Sequence, residues 1–355
     1  MSIIKKIRVL IVDDSAIARD LLERGLSRDP GIEVVGKAQD AFVARDKIIF
    51  LKPDVITLDV EMPKMDGIEF LKRLLPQYPL PVVVVSAVTV EGSRHALEAL
   101  DAGAVAVVAK PKAEDRDGLV AMLGELAEAV KEAAKADVSK MRRRVVLEKA
   151  AGKASLPFGI GRIVAIGAST GGTTALNTII PAFPTTMPGT VVVQHMPPVF
   201  TRMFAESLNR VSQVEVKEAQ DGDEVKPGRV LIAPGDFQVR LVKRAFGWTV
   251  SCKPGPKVSG HCPSVDVLFS SVAENAGNKA VGLLLTGMGR DGAAGMLEMR
   301  RSGARCLAQD EESSVVFGMP KEAWELGAVD KLVSLDRAAD ELLACLSDPI
   351  ARRTV

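Results

Sequence analysis

A serine, a histidine and an aspartate follow three apolar runs in the C-terminal half of the sequence. Ser169 lies in the turn Gly167-Ala-Ser-Thr-Gly-Gly172 after Ile163-Val-Ala-Ile-Gly167. His195 follows Thr190-Val-Val-Val-Gln194, and Asp291 sits in the Gly-rich loop after Ala280-Val-Gly-Leu-Leu-Leu285. Serine is a weak nucleophile at its own pKa and needs an adjacent base, a task that suits an imidazole poised near neutrality. A carboxylate completes such a set by fixing the imidazole tautomer and stabilising the cation formed on proton transfer. The turn alone leaves its use open. Gly167-x-Ser169-x-Gly171 has the spacing of an elbow that exposes a nucleophile, but a Gly-rich strand-to-helix turn can equally cradle a phosphate or merely turn the chain. The second strand weighs against dinucleotide binding. Such a turn wants glycine where Ser169 stands and an acidic residue about 20 positions later, whereas here that strand ends in Gln194-His195. Of the three histidines, His95 belongs to the N-terminal half, while His261, in the loop Gly260-His-Cys-Pro-Ser264, could also line the site.

A second set stands at strand ends in the N-terminal half. Asp13 and Asp14 follow Arg8-Val-Leu-Ile-Val12, Asp59 follows Asp54-Val-Ile-Thr-Leu58, Ser86 follows Pro81-Val-Val-Val-Val85, and Lys110 follows Val105-Ala-Val-Val-Ala109. In a parallel sheet these ends line one edge, so the side chains should converge. Clustered carboxylates repel unless a cation sits among them, and hard oxygen ligands suit Mg²⁺. Any single Asp could instead be a helix cap or turn former, but five such residues at four strand ends make that a poor account of the set.

Strands alternating with helices position both sets, which reads as α/β architecture. The N-terminal part is expected to be a doubly wound (βα)5 domain over residues 1–136. It adds a strand at 32–36 and a helix over 15–27 with Ile17, Leu21, Leu22 and Leu26 on one side. Further helices run through Val43, Ile48 and Ile49 and over 119–136. Residues 137–161 lose the pattern, carry the basic run Lys140-Met-Arg-Arg-Arg144 and read as a solvated linker. Residues 162–355 are expected to form a second doubly wound, mostly parallel-sheet domain. Its helices run through Ala175, Leu176, Ile179 and Ile180 and over 266–272; strand 229–233 leads to Pro234-Gly-Asp236, and segments 238–243 and 247–253 form an antiparallel hairpin.

Lys and Arg number 46 against 45 Asp and Glu, a net charge of +1, so no global field favours nucleic acid or an anionic membrane. No apolar run approaches the roughly 20 residues of a membrane span. The first residues lead into a strand rather than through a signal peptide, and Cys252, Cys262, Cys306 and Cys345 have no paired spacing for zinc or disulfides. A cytoplasmic, monomeric protein without membrane insertion is expected.

The N-terminal motifs Val12-Asp-Asp-Ser15, Thr57-Leu-Asp-Val-Glu-Met-Pro-Lys-Met-Asp-Gly67, Val85-Ser-Ala87 and Ala109-Lys-Pro111 resemble those of response-regulator receiver domains, over roughly residues 5 to 130. The resemblance implies that Asp59 accepts a phosphoryl group from a histidine kinase. It further implies that Asp13, Asp14, Asp59 and the carbonyl of Glu61 hold Mg²⁺, and that Ser86 and Lys110 engage the phosphoryl oxygens. Receivers commonly carry an aromatic residue where this chain has Val107, which departs from a switch built on a swinging ring.

With Ile166-Gly-Ala-Ser-Thr-Gly-Gly172, Gln194-His-Met-Pro-Pro198, Ile232-Ala-Pro-Gly-Asp236, Pro263-Ser-Val-Asp-Val-Leu-Phe269, Leu285-Thr-Gly-Met-Gly-Arg-Asp-Gly-Ala-Ala-Gly295 and Val315-Val-Phe-Gly-Met-Pro320, the whole chain resembles the chemotaxis protein-glutamate methylesterases, the CheB family. This implies a Ser169–His195–Asp291 triad that demethylates glutamates on methyl-accepting chemoreceptors, with glutamine deamidation in some members. No cofactor is implied for the hydrolysis itself. Backbone N–H groups of Thr170 and of the Met288 loop are candidate oxyanion donors. The competing class is a phosphorylation-controlled binding module that does no chemistry.

Overall fold

Runs of branched apolar residues form the strands of two parallel sheets in this computed structural model, which describes residues 5–63, 65–87, 89–111, 115–142 and 161–348. Residues up to 142 and residues from 161 belong to two separate compact units. Most of the expected linker, residues 143–160, lies outside the described residues.

The first unit alternates β1 (Ile7–Val12), α1 (Ala16–Leu26), β2 (Ile32–Ala38), α2 (Ala41–Leu51), β3 (Val55–Leu58), α3 (Gly67–Leu74), β4 (Val82–Ala87), α4 (Val90–Asp101), β5 (Ala106–Lys110) and α5 (Arg116–Ala133). The sheet order β2-β1-β3-β4-β5, parallel throughout, is the doubly wound arrangement expected. Val9, Ile11, Val83, Val85 and Val108 pack on Leu22 and Leu26 of α1 and Met122, Leu126 and Val130 of α5. Ser15, Asp40, Asp66, Thr89 and Asp115 accept N–H bonds as caps of α1 to α5. Because Ser15 takes the capping role at α1, Asp13 and Asp14 are left available for other work.

Two sequence expectations fail here. The apolar spacing groups Ile17 with Leu21, Leu22 and Leu26, but Ile17 is 83% exposed; nine residues at about 100° each put it half a turn from Leu26. Ile49 is likewise exposed, since α2 buries the stripe Ala41, Ala44 and Ile48. Beyond α5 a short 3₁₀ turn, Val138–Arg142, continues the unit, with Val138 in its core.

The second unit contains β6 (Ile163–Ala168), α6 (Gly172–Ile179), β7 (Gly189–Gln194), α7 (Phe200–Val211), β8 (Glu215–Glu218), β9 (Glu224–Val225), β10 (Arg229–Ile232), β11 (Phe237–Arg244), β12 (Gly247–Pro254), α8 (Val265–Asn275), β13 (Ala280–Leu284), α9 (Ala293–Arg301), β14 (Arg305–Gln309), α10 (Met319–Glu325), β15 (Lys331–Val333) and α11 (Ala338–Ser347). Seven strands form a parallel sheet in the order β15-β14-β13-β6-β7-β10-β8. All residues of β6, β7 and β13 are buried, which explains why these runs are continuously apolar rather than alternating. The expected hairpin, β11 and β12, is part of a separate antiparallel sheet completed by β9. Phe269, Leu268 and Val265 of α8 fill the core beside Val239 and Leu241 of β11 and Met296 of α9. At the amino edge, Arg162 donates to the carbonyls of Cys345 and Asp348 and so closes the carboxyl end of α11. No helix of the described residues is long and apolar enough to cross a membrane.

Candidate active site

The ladder between β6 and β7 pairs Ala168 with Gln194, so Ser169 and His195 leave adjacent strands at the same level. On the other side of β6, the Ser169 N–H donates to the Thr286 carbonyl just beyond β13 (3.0 Å). Ser169 is therefore seated between the two segments that carry His195 and Asp291. Gly171 has φ +77 and directly precedes α6, where a Cβ would lie 2.7 Å from Val315 Cβ; this is the tight strand-to-helix turn expected from the sequence. The approach of the Met288 loop is close as well, since a Cβ on Gly287 would lie 2.7 Å from Ser169 Cβ.

His195 Nε2 lies 2.8 Å from Asp291 Oδ2. A carboxylate only accepts, so Nε2 is the nitrogen that donates, and in the neutral ring Nδ1 is the one with the lone pair. That Nδ1 is buried without a hydrogen-bond partner. The ring therefore presents a free base on the side away from Asp291, the reverse of the ring polarity in chymotrypsin-like proteases. The Ser169 side chain makes no hydrogen bond to His195 in this structure; the bonds of Ser169 run through its backbone. Nucleophile–base contacts are commonly loose before substrate binds.

Asp291 is both a partner of His195 and an anion held at a helix end. Its Oδ1 accepts from Ser264 Oγ (2.7 Å) and Asp266 N (2.9 Å), and its Oδ2 also accepts from Val265 N (2.8 Å). These donors are the first turn of α8 and its cap, where the helix dipole favours negative charge. Burial pushes the Asp291 carboxyl up, but the bonds from His195, Asp266 and Ser264 outweigh it and hold the group below the usual carboxylate range. The neighbouring Asp266 goes the other way: burial raises it, and the proximity of Asp291 adds to the rise.

His261 lies flat on His195, with ring centroids 3.6 Å apart and planes 8° from parallel. Its Nδ1 donates to the Ser259 carbonyl (2.9 Å), and Ser259 Oγ donates to Asp266 (2.9 Å). His195, His261 and Asp291 bring their ligand atoms within 4.8 Å of one another, yet the donor set does not suit a metal. Parallel stacked rings aim their lone pairs side by side rather than at one point, and both Asp291 oxygens are already engaged. Burial, followed by the proximity of His195, depresses His261 to about 4. Between about 6.5 and 4 the unfolded chain therefore takes up a proton that the folded chain refuses, so stability falls as pH falls through that window. This group is expected to cost the fold about 2–3 kcal/mol by pH 4. Urea unfolding at pH 7 and pH 4.5 should show the slope in the wild type and a flatter one in His261→Phe.

In the first unit, Asp13, Asp14 and Asp59 bring carboxylate oxygens within 4.8 Å of one another. Lys110 Nζ is 2.9 Å from Asp13 Oδ2 and also bonds Asp59 Oδ2. Burial opposes the charge on Lys110, but attraction to Asp59 and Asp13 outweighs it and raises its pKa. Burial raises the Asp59 carboxyl, with Lys110 opposing. Asp59 Oδ1 accepts the Glu61 N–H (3.0 Å), which fixes the start of the following loop. Three carboxylates with one compensating lysine fit a hard divalent cation such as Mg²⁺. Ser86 is the penultimate residue of the neighbouring strand β4 rather than the first residue beyond it, and its hydroxyl donates to the Gly92 carbonyl (2.9 Å) rather than to the Asp59 cluster. His95 sits on α4, in the unit without the Ser169 turn.

A family model described as CheB methylesterase matches residues 164–342, and a response regulator receiver domain matches residues 9–123. A Syntrophotalea carbinolica protein named protein-glutamate methylesterase/protein-glutamine glutaminase is 56% identical over 97% of this chain and 99% of its own. The chain belongs to the CheB methylesterase family. A Syntrophomonas wolfei relative of the same name is 55% identical over 94% of this chain and 96% of its own. The crystal structure of the Thermotoga maritima CheB methylesterase catalytic domain is 42% identical with TM-score 0.51, covering 52% of this chain and 98% of that one.

Sequence reading gave no role to five residues whose hydrogen bonds tie these strand ends together: Ser264, Asp266, Thr286, Gln194 and Gln309. Only Ser264 carried a signal, as a cap immediately before a helical pattern.

Proposed function

We propose that the protein is a cytoplasmic, monomeric serine hydrolase that demethylates glutamate methyl esters on methyl-accepting chemoreceptors, under control of phosphorylation at Asp59. The observation that carries this reading is the buried, unpartnered Nδ1 of a His195 whose Nε2 is fixed by Asp291, beside the Ser169 turn. Ser169 Oγ attacks the ester carbonyl carbon while His195 Nδ1 takes the hydroxyl proton. The tetrahedral centre collapses, the bond to methoxide breaks, and His195 returns the proton so that methanol leaves. Water, deprotonated by the same nitrogen, then attacks the acyl-enzyme, releasing glutamate and restoring Ser169. Backbone N–H groups of Thr170 and the Met288 loop are assigned to the oxyanion. An amide at the same carbonyl would lose ammonia by the same steps, which is deamidation of glutamine.

In the receiver unit, Asp13, Asp14, Asp59 and the Glu61 carbonyl would hold Mg²⁺, which supplies positive charge against the phosphoryl group. Lys110 and Ser86 would contact the phosphoryl oxygens, Ser86 by leaving Gly92. A chemotaxis histidine kinase is the phosphodonor, and phosphorylation relieves a restraint on the hydrolase. Methanol release from methylated receptor membranes tests this. A small-molecule phosphodonor with Mg²⁺ should raise release several-fold in the wild type and leave Asp59→Asn at its basal rate. Chelating Mg²⁺ should remove the stimulation but not the basal hydrolysis. No methanol from the wild type under any of these conditions would overturn the proposal.

A further inference from the structure

One line of hydrogen bonds crosses four strand ends at the rim. Gln309 Oε1 accepts from Thr286 N (2.8 Å), Thr286 O accepts from Ser169 N (3.0 Å), and Ser169 O accepts from Gln194 Nε2 (3.0 Å). The second proton of Gln194 Nε2 goes to the carbonyl of His195 (3.1 Å). Gln194 is 3% exposed, and its Oε1 has no hydrogen-bond partner. An orphaned buried oxygen costs free energy that an apolar side chain of the same length would avoid. Room is nevertheless made for it: a Cβ on Gly172 would lie 2.1 Å from that oxygen.

The backbone does not do this work itself. The β6–β7 ladder ends at Ala168 and Gln194, and the last backbone bond beyond it runs from His195 N to Ala168 O (3.1 Å). Past that point the Gln194 amide links the Ser169 and His195 segments, gripping the carbonyl of each.

We propose that Gln194 is a positioning residue of the hydrolase site. Its amide holds the Ser169 turn and the His195 segment in one register and so sets the separation across which Ser169 Oγ hands its proton to His195 Nδ1. The inference rests on the hydrolase reading above. Small misplacements of reacting groups lower turnover steeply without weakening substrate binding. Gln194→Met keeps the length and removes the orphaned oxygen; Gln194→Glu keeps the shape but turns an acceptor towards two carbonyls. Both are made in the full chain, and methanol release from methylated receptor membranes is measured with phosphodonor, alongside thermal melting. In both variants kcat is expected to fall about 10- to 100-fold with apparent KM within about threefold. Gln194→Met should also melt within a few degrees of the wild type. A kcat within about twofold of wild type in the folded Met variant, or a loss that only follows melting temperature, would overturn the proposal. A wild type without methanol release sinks the hydrolase reading and this one together, whereas an active wild type with unimpaired variants sinks this one alone.

Discussion

Replacing Ser169 with alanine is expected to lower methanol release by about 10⁴- to 10⁶-fold and leave the protein folded. The size follows from the role: without the hydroxyl there is no acyl-enzyme, and what survives is the polarising environment around a bound ester. The intact fold follows from the bonding. Ser169 is tied in by its N–H to Thr286 and by its carbonyl, which accepts from Gly172 N and Gln194 Nε2, all of which alanine keeps. Circular dichroism and thermal melting should match the wild type, and labelling by a serine-reactive phosphonate should vanish. Activity near that of the wild type would end the case for Ser169 as nucleophile. Labelling of the wild type is also what separates an enzyme from a module that merely binds.

Asp291 should behave differently, because in the proposed mechanism it serves catalysis while its four hydrogen bonds also serve the fold. Asp291→Ala leaves the Val265 and Asp266 N–H groups, the Ser264 hydroxyl and His195 Nε2 without their acceptor. A loss of about 2–4 kcal/mol in stability is expected, alongside a fall of about 10⁴-fold in kcat. Asp291→Asn keeps the shape but has one acceptor oxygen for four donors and no charge for the end of α8. It should melt between the wild type and the alanine variant, with turnover nearly as low because the tautomer of His195 is no longer enforced. A pH scan carries the same signature. The Asp291 carboxyl is held below its usual range, so its contribution is present above about pH 4, the unfolded value, and is lost as pH falls through the lower folded value. Urea midpoints and methanol release for the three proteins check this; an alanine variant as stable as the wild type would contradict the four-bond account.

The parallel sheets, the strand ends and the residues standing on them were legible because the central strands β3, β4, β6, β7 and β13 are buried on both faces and read as nearly unbroken apolar runs. The same rule hid the edges. β8, β9 and β15 are short and partly exposed, and they carried no run long enough to register. Helical faces were less secure: the pattern that put Ile17 with Leu26 treated any spacing of apolar residues as one stripe, whereas α1 turns Ile17 to the outside. At the hydrolase site, Ser169, His195 and Asp291 were visible as chemistry at strand ends. Which ring nitrogen faces the acid, and the stacking of His261, depend on how loops distant in sequence pack. The bonding of Gln194 was hidden for a related reason: a glutamine at the end of an apolar run looks like the start of a loop until its amide is seen to grip two carbonyls.

Arg162 reaches the carbonyls that end α11, so the first and last described residues of the hydrolase unit are neighbours. They meet at the amino edge of the sheet, one length of β6 from Ser169, roughly 20 Å at the usual rise of a strand. A tether leaving from either end of this unit starts on the far side of the sheet from the reactive rim. Attachments there can be lengthened, shortened or exchanged without disturbing a single strand that carries the chemistry.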